Sequence, residues 1–321
     1  MTGLALPRTG RRSPRRDSLR SWRPLDRVGL ILCWTFGVLA CAIATAIVVY
    51  VAVQGVRYLQ PSLLFEHPTA GFGEADSGGF FDPLVGTLLV AALAMVIALP
   101  IGVAGAVWLS EYGRPAGLAR AFESTVEMIA GAPSIVLALF GTLLFQAGPL
   151  GFLSRSNGGV VLGRSFFAAG AMLSLIALPL VIANTREGLQ RIPAHVREAS
   201  YAVGKTKAAT IRRILLPAAR PSVATGAILG VGRVIGDTAI IVILLGATLT
   251  FNGAGGPPGF STLRGTGSTL TSYVYQYSPT GEGNQPTKAY AAAFVLLLMV
   301  LLLNASVDLV ARRGRKYTWN S

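Results

Sequence analysis

The chain has 321 residues, of which 52% are hydrophobic and only 13% charged, with a formal net charge of +14. Soluble proteins carry about 25% charged residues, so this composition excludes an ordinary water-soluble fold. The basic excess invites a nucleic-acid reading, but that role needs a folded basic face with readout elements; the sequence offers none, and nucleic acid is not expected as a partner.

Residues 1–27 form an Arg/Pro/Ser-rich tail with eight basic residues, a composition expected to stay disordered. Val28 to Val53 then run without a charge. About 20 apolar residues suffice to cross roughly 30 Å of hydrocarbon as a helix, so 28–53 reads as the first transmembrane helix. It is too long for a cleaved signal core. Cys33 and Cys41 lie in this span, separated along the axis by roughly 12 Å, too far for a disulfide, and are expected to be buried apolar filler. Residues 54–83 read as an external loop, with Glu66, Glu74, Asp76 and Asp82 among many glycines.

The core, 84–310, is expected to hold five more transmembrane helices. Span two covers 84–108 with Pro100 inside, and Ser110 to Pro115 make a cytoplasmic turn. Span three covers 126–147, and Gly131-Ala132-Pro133-Ser134 should break or kink it. After a Gly-rich outer loop at 148–163 comes span four, 165–183. A long basic inner loop, 184–220, leads to span five, 221–247, which contains Arg233 and Asp237. An outer segment, 248–288, reads as polar and Gly/Pro/Thr-rich, and Gly253 to Gly259 are not expected to form regular structure. Span six is 289–310, and 311–321 is a second basic tail. The expected fold class is therefore an all-α membrane protein with six transmembrane helices.

Orientation follows from the distribution of Lys and Arg. Eight lie in 1–27, two near 110–122, eight in 184–220 and four after Ala311, whereas 54–83, 155–164 and 248–288 share five. This positive-inside bias places both termini and the 184–220 loop in the cytoplasm.

Inside that loop, Pro193 starts a helix. Val196, Ala199, Ala202 and Val203 recur on one face of it, and Gly204 ends it as a left-handed cap. Thr206 caps the next helix, whose Ile211, Ile214 and Leu215 form an apolar stripe. The spacing from Glu198 through Ala199 and Gly204 to Ile214, Leu216 and Pro217 resembles the Glu-Ala-Ala signature of type I ABC importer permeases, with Ser200 as a small-for-small departure. Leu109-Ser110-Glu111-Tyr112, Ala132-Pro133-Ser134-Ile135-Val136 with Leu139-Phe140-Gly141, and Gly232-Arg233-Val234-Ile235-Gly236-Asp237-Thr238-Ala239 are similar to the phosphate-permease subfamily of the PstA type, over roughly 80–310. Val234 and Asp237 depart from its usual Ala and Glu. The resemblance implies the type I importer permease fold, with the 184–220 loop forming a cytoplasmic coupling helix that docks on a separate ATPase. It implies half of a phosphate pathway across the inner membrane. The partners would be a PstC-like permease, a PstB-like ATPase dimer, an external phosphate-binding protein and the lipid bilayer. ATP and Mg2+ would bind at the ATPase, with no cofactor and no catalysis on this chain.

Ala199 to Thr206 nearly fit a P-loop, but Ala stands where the first Gly should be and a helix precedes it instead of a strand. Two charges interrupt span five. A buried arginine costs about 2.5–3.5 kcal/mol at a span centre and usually marks a pathway or a partner. Asp237, four residues on, would share its helical face. Two readings stay open: a self-neutralising ion pair, or a translocation pathway in which Arg233 attracts an oxyanion while Asp237 orients it. A guanidinium suits phosphate because its fork donates two parallel hydrogen bonds. The alternatives in function are a permease for molybdate or sulfate, a stand-alone secondary transporter, and a membrane-embedded enzyme. The last needs convergent catalytic groups, and His67 and His195, the only histidines, fall in loops on opposite sides.

Overall fold

The computed structural model describes residues 24–68, 78–147, 150–154, 156–157, 160–246, 260–279, 281 and 285–313. Most of the basic N-terminal tail, the acids Glu74 and Asp76, and the glycine-rich run 253–259 lie outside the described residues. The chain separates into two units, residues 24–52 and the chain from Val53 onward.

The first unit is most of α1, Pro24–Tyr58. Its helix is apolar on all sides, as a segment solvated by hydrocarbon can be. Cys33 and Cys41 are exposed on it, which corrects the expectation that they pack as buried filler.

The second unit continues with a short 3-10 turn, Pro61–Leu64, and α2, Phe81–Val107, which passes through Pro100 and ends in a π turn, Trp108–Tyr112. Ser110 to Tyr112 are therefore helical, and the chain turns only at Gly113 and Arg114. The helices α3, Ala116–Gly131, and α4, Ser134–Ala147, are bent by 106° at Ala132-Pro133. Of the two expected outcomes, break or kink, the structure has the break. At about 1.5 Å per residue, α4 alone is some 21 Å long, short of the hydrocarbon thickness. Among the described residues, five helices are long and apolar enough to cross a membrane, six if the bent pair counts as one span.

A two-residue hairpin, β1 (Ser156–Asn157) with β2 (Val160–Val161), precedes α5, Phe166–Gln190. Ser165 caps α5 by accepting from the Ala168 amide at 3.0 Å. Beyond α5 come α6, Ala194–Ala202, and α7, Lys207–Thr210. A π turn, Ile211–Leu215, joins α7 to α8, Leu216–Ile235, so the helix of span five starts inside the expected loop. Pro217, at the start of α8, has no N–H to return to the preceding turn, and the π geometry falls in that turn. The short α9, Ala239–Leu244, follows a break.

The polar segment 248–288 is partly helical. It holds α10, Phe260–Arg264, and α11, Leu270–Tyr277, before α12, Pro286–Arg313. A reciprocal capping box between Thr269 and Ser272 starts α11, and the Leu270 amide donates to Thr87 Oγ1 of α2 at 2.9 Å.

Helix α5 packs against both α2 and α8. Small residues permit the close approach: a Cβ on Gly226 of α8 would sit 3.1 Å from the Val181 Cα of α5. The central core joins Ala94 and Ala98 of α2, Leu173 and Ala177 of α5, Val234 of α8 and Ile241 of α9. A second cluster centres on Phe80, Tyr273 and Ala292. A third gathers Leu189, Ile192, Val196, Ile211, Leu215 and Ala219 where α5, α6 and the turn into α8 meet.

Candidate functional site: the coupling loop and the charged break in span five

Pro193 has extended backbone and acts as the N-cap of α6, one position outside the helix. Along α6, Val196 and Ser200 are buried, and Val196 seats the helix on the cluster of Leu189, Ile211 and Leu215. Glu198, Ala199, Tyr201 and Ala202 face out, as does Val203 just after the helix. The face expected to be apolar is therefore split: Val196 packs inward, while Ala199, Ala202 and Val203 are left open. Glu198 makes no hydrogen bond or ion pair among the described residues.

Gly204 reverses the chain. Its φ is +77°, and a Cβ there would meet nothing within 4 Å, so the backbone angle alone demands glycine. Its amide donates to the Tyr201 carbonyl at 2.9 Å and the Lys205 amide to the Ser200 carbonyl at 3.2 Å, which closes the helix end. Thr206 then accepts from the Ala209 amide at 3.3 Å. The hydroxyls of Ser200 and Thr210 meet at 2.8 Å, so the residue that departs from the family pattern ties α6 to α7. The near-P-loop stretch is helix followed by turn.

Below the turn, Ile214 and Pro217 share a cleft of about 610 Å³ with Val196 and Ala199, edged by Lys205 and Arg213. Leu216 is half-buried beside them.

Sequence reasoning passed over the residue that holds this loop to the bundle. Arg197, on α6, donates to Glu111 Oε1 from Nε at 3.1 Å and from Nη2 at 2.9 Å. It also donates to the carbonyls of Ile192 at 2.8 Å and Leu189 at 2.9 Å. Lys207 Nζ donates to the Glu111 carbonyl and lies 4.4 Å over the Tyr112 ring. Glu111 stands in one of the quoted family-like motifs, but its partner is 86 positions away, and no local spacing reveals that.

At the other end of α8, Arg233 is exposed and Asp237 is only 5% exposed. They do not pair: the helix stops at Ile235, so Asp237 is not one helical turn beyond Arg233 on a shared face. Asp237 Oδ1 instead accepts from the Ile240 amide at 2.9 Å, at the start of α9. Thr271 Oγ1 of α11 donates to the freed Ile235 carbonyl at 2.8 Å. The break is thus satisfied on both sides, as irregular backbone at membrane depth requires. Arg233 has no hydrogen-bond or ionic partner among the described residues.

Residues 98–316 match the family described as the binding-protein-dependent transport system inner membrane component. The chain belongs to this family. The permease is 35% identical over 246 residues to the phosphate transport system permease protein PstA 1 of Mycobacterium tuberculosis, covering 76% of this chain and 74% of that one. It is 31% identical over 247 residues to the phosphate transport system permease protein PstC 2 of Mycobacterium bovis, covering 73% and 74%. Among solved structures it is similar to a chain of a bacterial alginate ABC transporter, with a TM-score of 0.61 and 16% identity over 94% of this chain and 100% of that one. That likeness shows the fold, the type I importer permease fold. The permease is a multi-pass inner-membrane component of an ABC importer and not itself an ATPase.

Proposed function

We propose that this permease forms half of the pathway of an ATP-driven importer of inorganic phosphate, with a PstC-like subunit as the other half. The single observation that carries the substrate is the 35% identity to a phosphate permease over 76% of the chain. A PstB-like ATPase dimer docks on the 184–220 loop, and an external phosphate-binding protein delivers the substrate. Both termini and the tails 1–27 and 311–321 lie in the cytoplasm, residues 54–83 lie outside, and 84–310 form the permease core behind the first span, 28–53.

On this reading the open face of α6, with Glu198 and Ala199, enters the ATPase. Gly204 sets the reversal of the loop. Ile214, Leu216 and Pro217 support the turn from beneath. In the pathway Arg233 meets the anion, since its guanidinium is exposed and has no partner among the described residues, and Asp237 maintains the break that ends α8 just beyond it. ATP and Mg2+ belong to the partner.

The test is uptake of radiolabelled phosphate by a strain lacking this chain, with and without the chain restored. Restoration of phosphate uptake that excess molybdate and sulfate do not reduce supports the reading. Competition by either anion at equal concentration transfers the proposal to that oxyanion.

A further inference from the structure

We propose that Glu111 is a positioning residue for energy coupling: it makes the cytoplasmic end of α2 and the coupling helix α6 move as one body. The inference rests on the reading that the ATPase docks on α6. Helices α6 and α7 reach this residue directly, and Arg197 ties α5 to it. Its carboxylate receives Arg197 of α6, and the same guanidinium holds the carbonyls of Leu189, at the end of α5, and Ile192, just past it. Its carbonyl receives Lys207 of α7.

Local chemistry explains why that carbonyl is free. In a continuing α-helix it would accept from residue 115, but Pro115 has no N–H. The chain instead closes α2 with a π turn over Trp108–Tyr112, and Lys207 takes the orphaned carbonyl. The Glu111 side chain is 6% exposed and that of Arg197 is 22% exposed, so water screens the pair poorly. A buried charge whose partner is removed is strongly destabilised, so displacing α6 from α2 is opposed by the carboxylate itself. A second, half-exposed bridge, Arg186 of α5 to Glu123 of α3 at 2.5 Å, lies outside this clamp.

A force applied to α6 therefore reaches the membrane by two routes. One is covalent, back through residues 191–193 into α5 and on through α7 into α8. The other crosses from Arg197 to Glu111 into α2, which has no chain connection to the loop except through α3, α4 and α5. Loss of the second route leaves docking and ATP hydrolysis intact but uncouples them from α2.

The experiment uses the complete transporter, with its ATPase and binding protein, in proteoliposomes, and reads phosphate delivered per ATP hydrolysed. The variants are Glu111→Ala, Arg197→Ala and the double Glu111→Gln/Arg197→Gln, which strands no charge. Coupling energies of 1–3 kcal/mol correspond to roughly 5–150-fold. The expected result is a double variant that assembles at the parental level, single variants that assemble less because each strands a charge, and a phosphate-to-ATP ratio per assembled complex that falls by about tenfold in both single variants and no further in the double. A parental ratio in Glu111→Ala, an additive loss in the double, or failure of the double variant to assemble each overturns the proposal. Gly204→Val is the separate arm for docking: if that variant retains its ATPase, the docking reading falls, independently of the ratios at Glu111.

Discussion

The Asp237 carboxylate accepts from the amide of Ile240 at 2.9 Å and does not pair with the guanidinium of Arg233, four positions earlier. The two charges therefore have separable roles. Asp237→Asn keeps a side-chain acceptor at the start of α9 and should leave assembly and uptake close to the parental level. Asp237→Ala removes the cap and should lower stability by about 0.5–2 kcal/mol. Thermal unfolding of the detergent-solubilised complex reads that difference.

Arg233→Ala should assemble normally, because no intramolecular bond is lost with it among the described residues, and should lose phosphate uptake. Arg233→Lys keeps the charge without the fork and should give partial uptake. The double variant Arg233→Ala/Asp237→Ala should remain inactive. Uptake normalised to assembled complex is the measurement, and near-parental uptake in the double variant would contradict a pathway role for Arg233.

Gly204 is open to solvent, and only its φ of +77° restricts it. A β-branched residue there should cost about 1–2 kcal/mol without any clash. We expect Gly204→Val to reach normal membrane levels while losing ATPase co-purification. Gly204→Asn should keep most of it, since Asn visits the left-handed region more readily. Equal losses in the two variants would show that size, not backbone angle, matters at this position.

Ser200 and Thr210 share a buried hydrogen bond at 2.8 Å. Ser200→Ala should cost only about 0.5–1.5 kcal/mol, because Thr210 Oγ1 still donates to the Thr206 carbonyl at 3.0 Å. A small fall in melting temperature with uptake retained is the expected outcome.

The spans were legible because hydrocarbon demands long uncharged helices, and the turn between α6 and α7 because Gly204 and Thr206 are local signals. What stayed hidden depends on long-range contact. Helix α11 is short, and its first amide is fixed by Thr87, 183 positions away. The sequence marks a weak point at Pro133, but a bend of 106° depends on what α3 and α4 each pack against. The spacing of Arg233 and Asp237 promises a helical pair only while the helix continues, and it ends between them.

The account's central claim is ATP-driven phosphate import through this permease, and the most direct measurement is phosphate uptake by proteoliposomes holding the complete complex. Uptake should require ATP and the binding protein and persist when ionophores collapse the ion gradients. It should vanish when the chain carries Gly204→Val. Uptake that proceeds without ATP, or stops when the gradients are collapsed, would contradict the account and indicate a stand-alone secondary transporter.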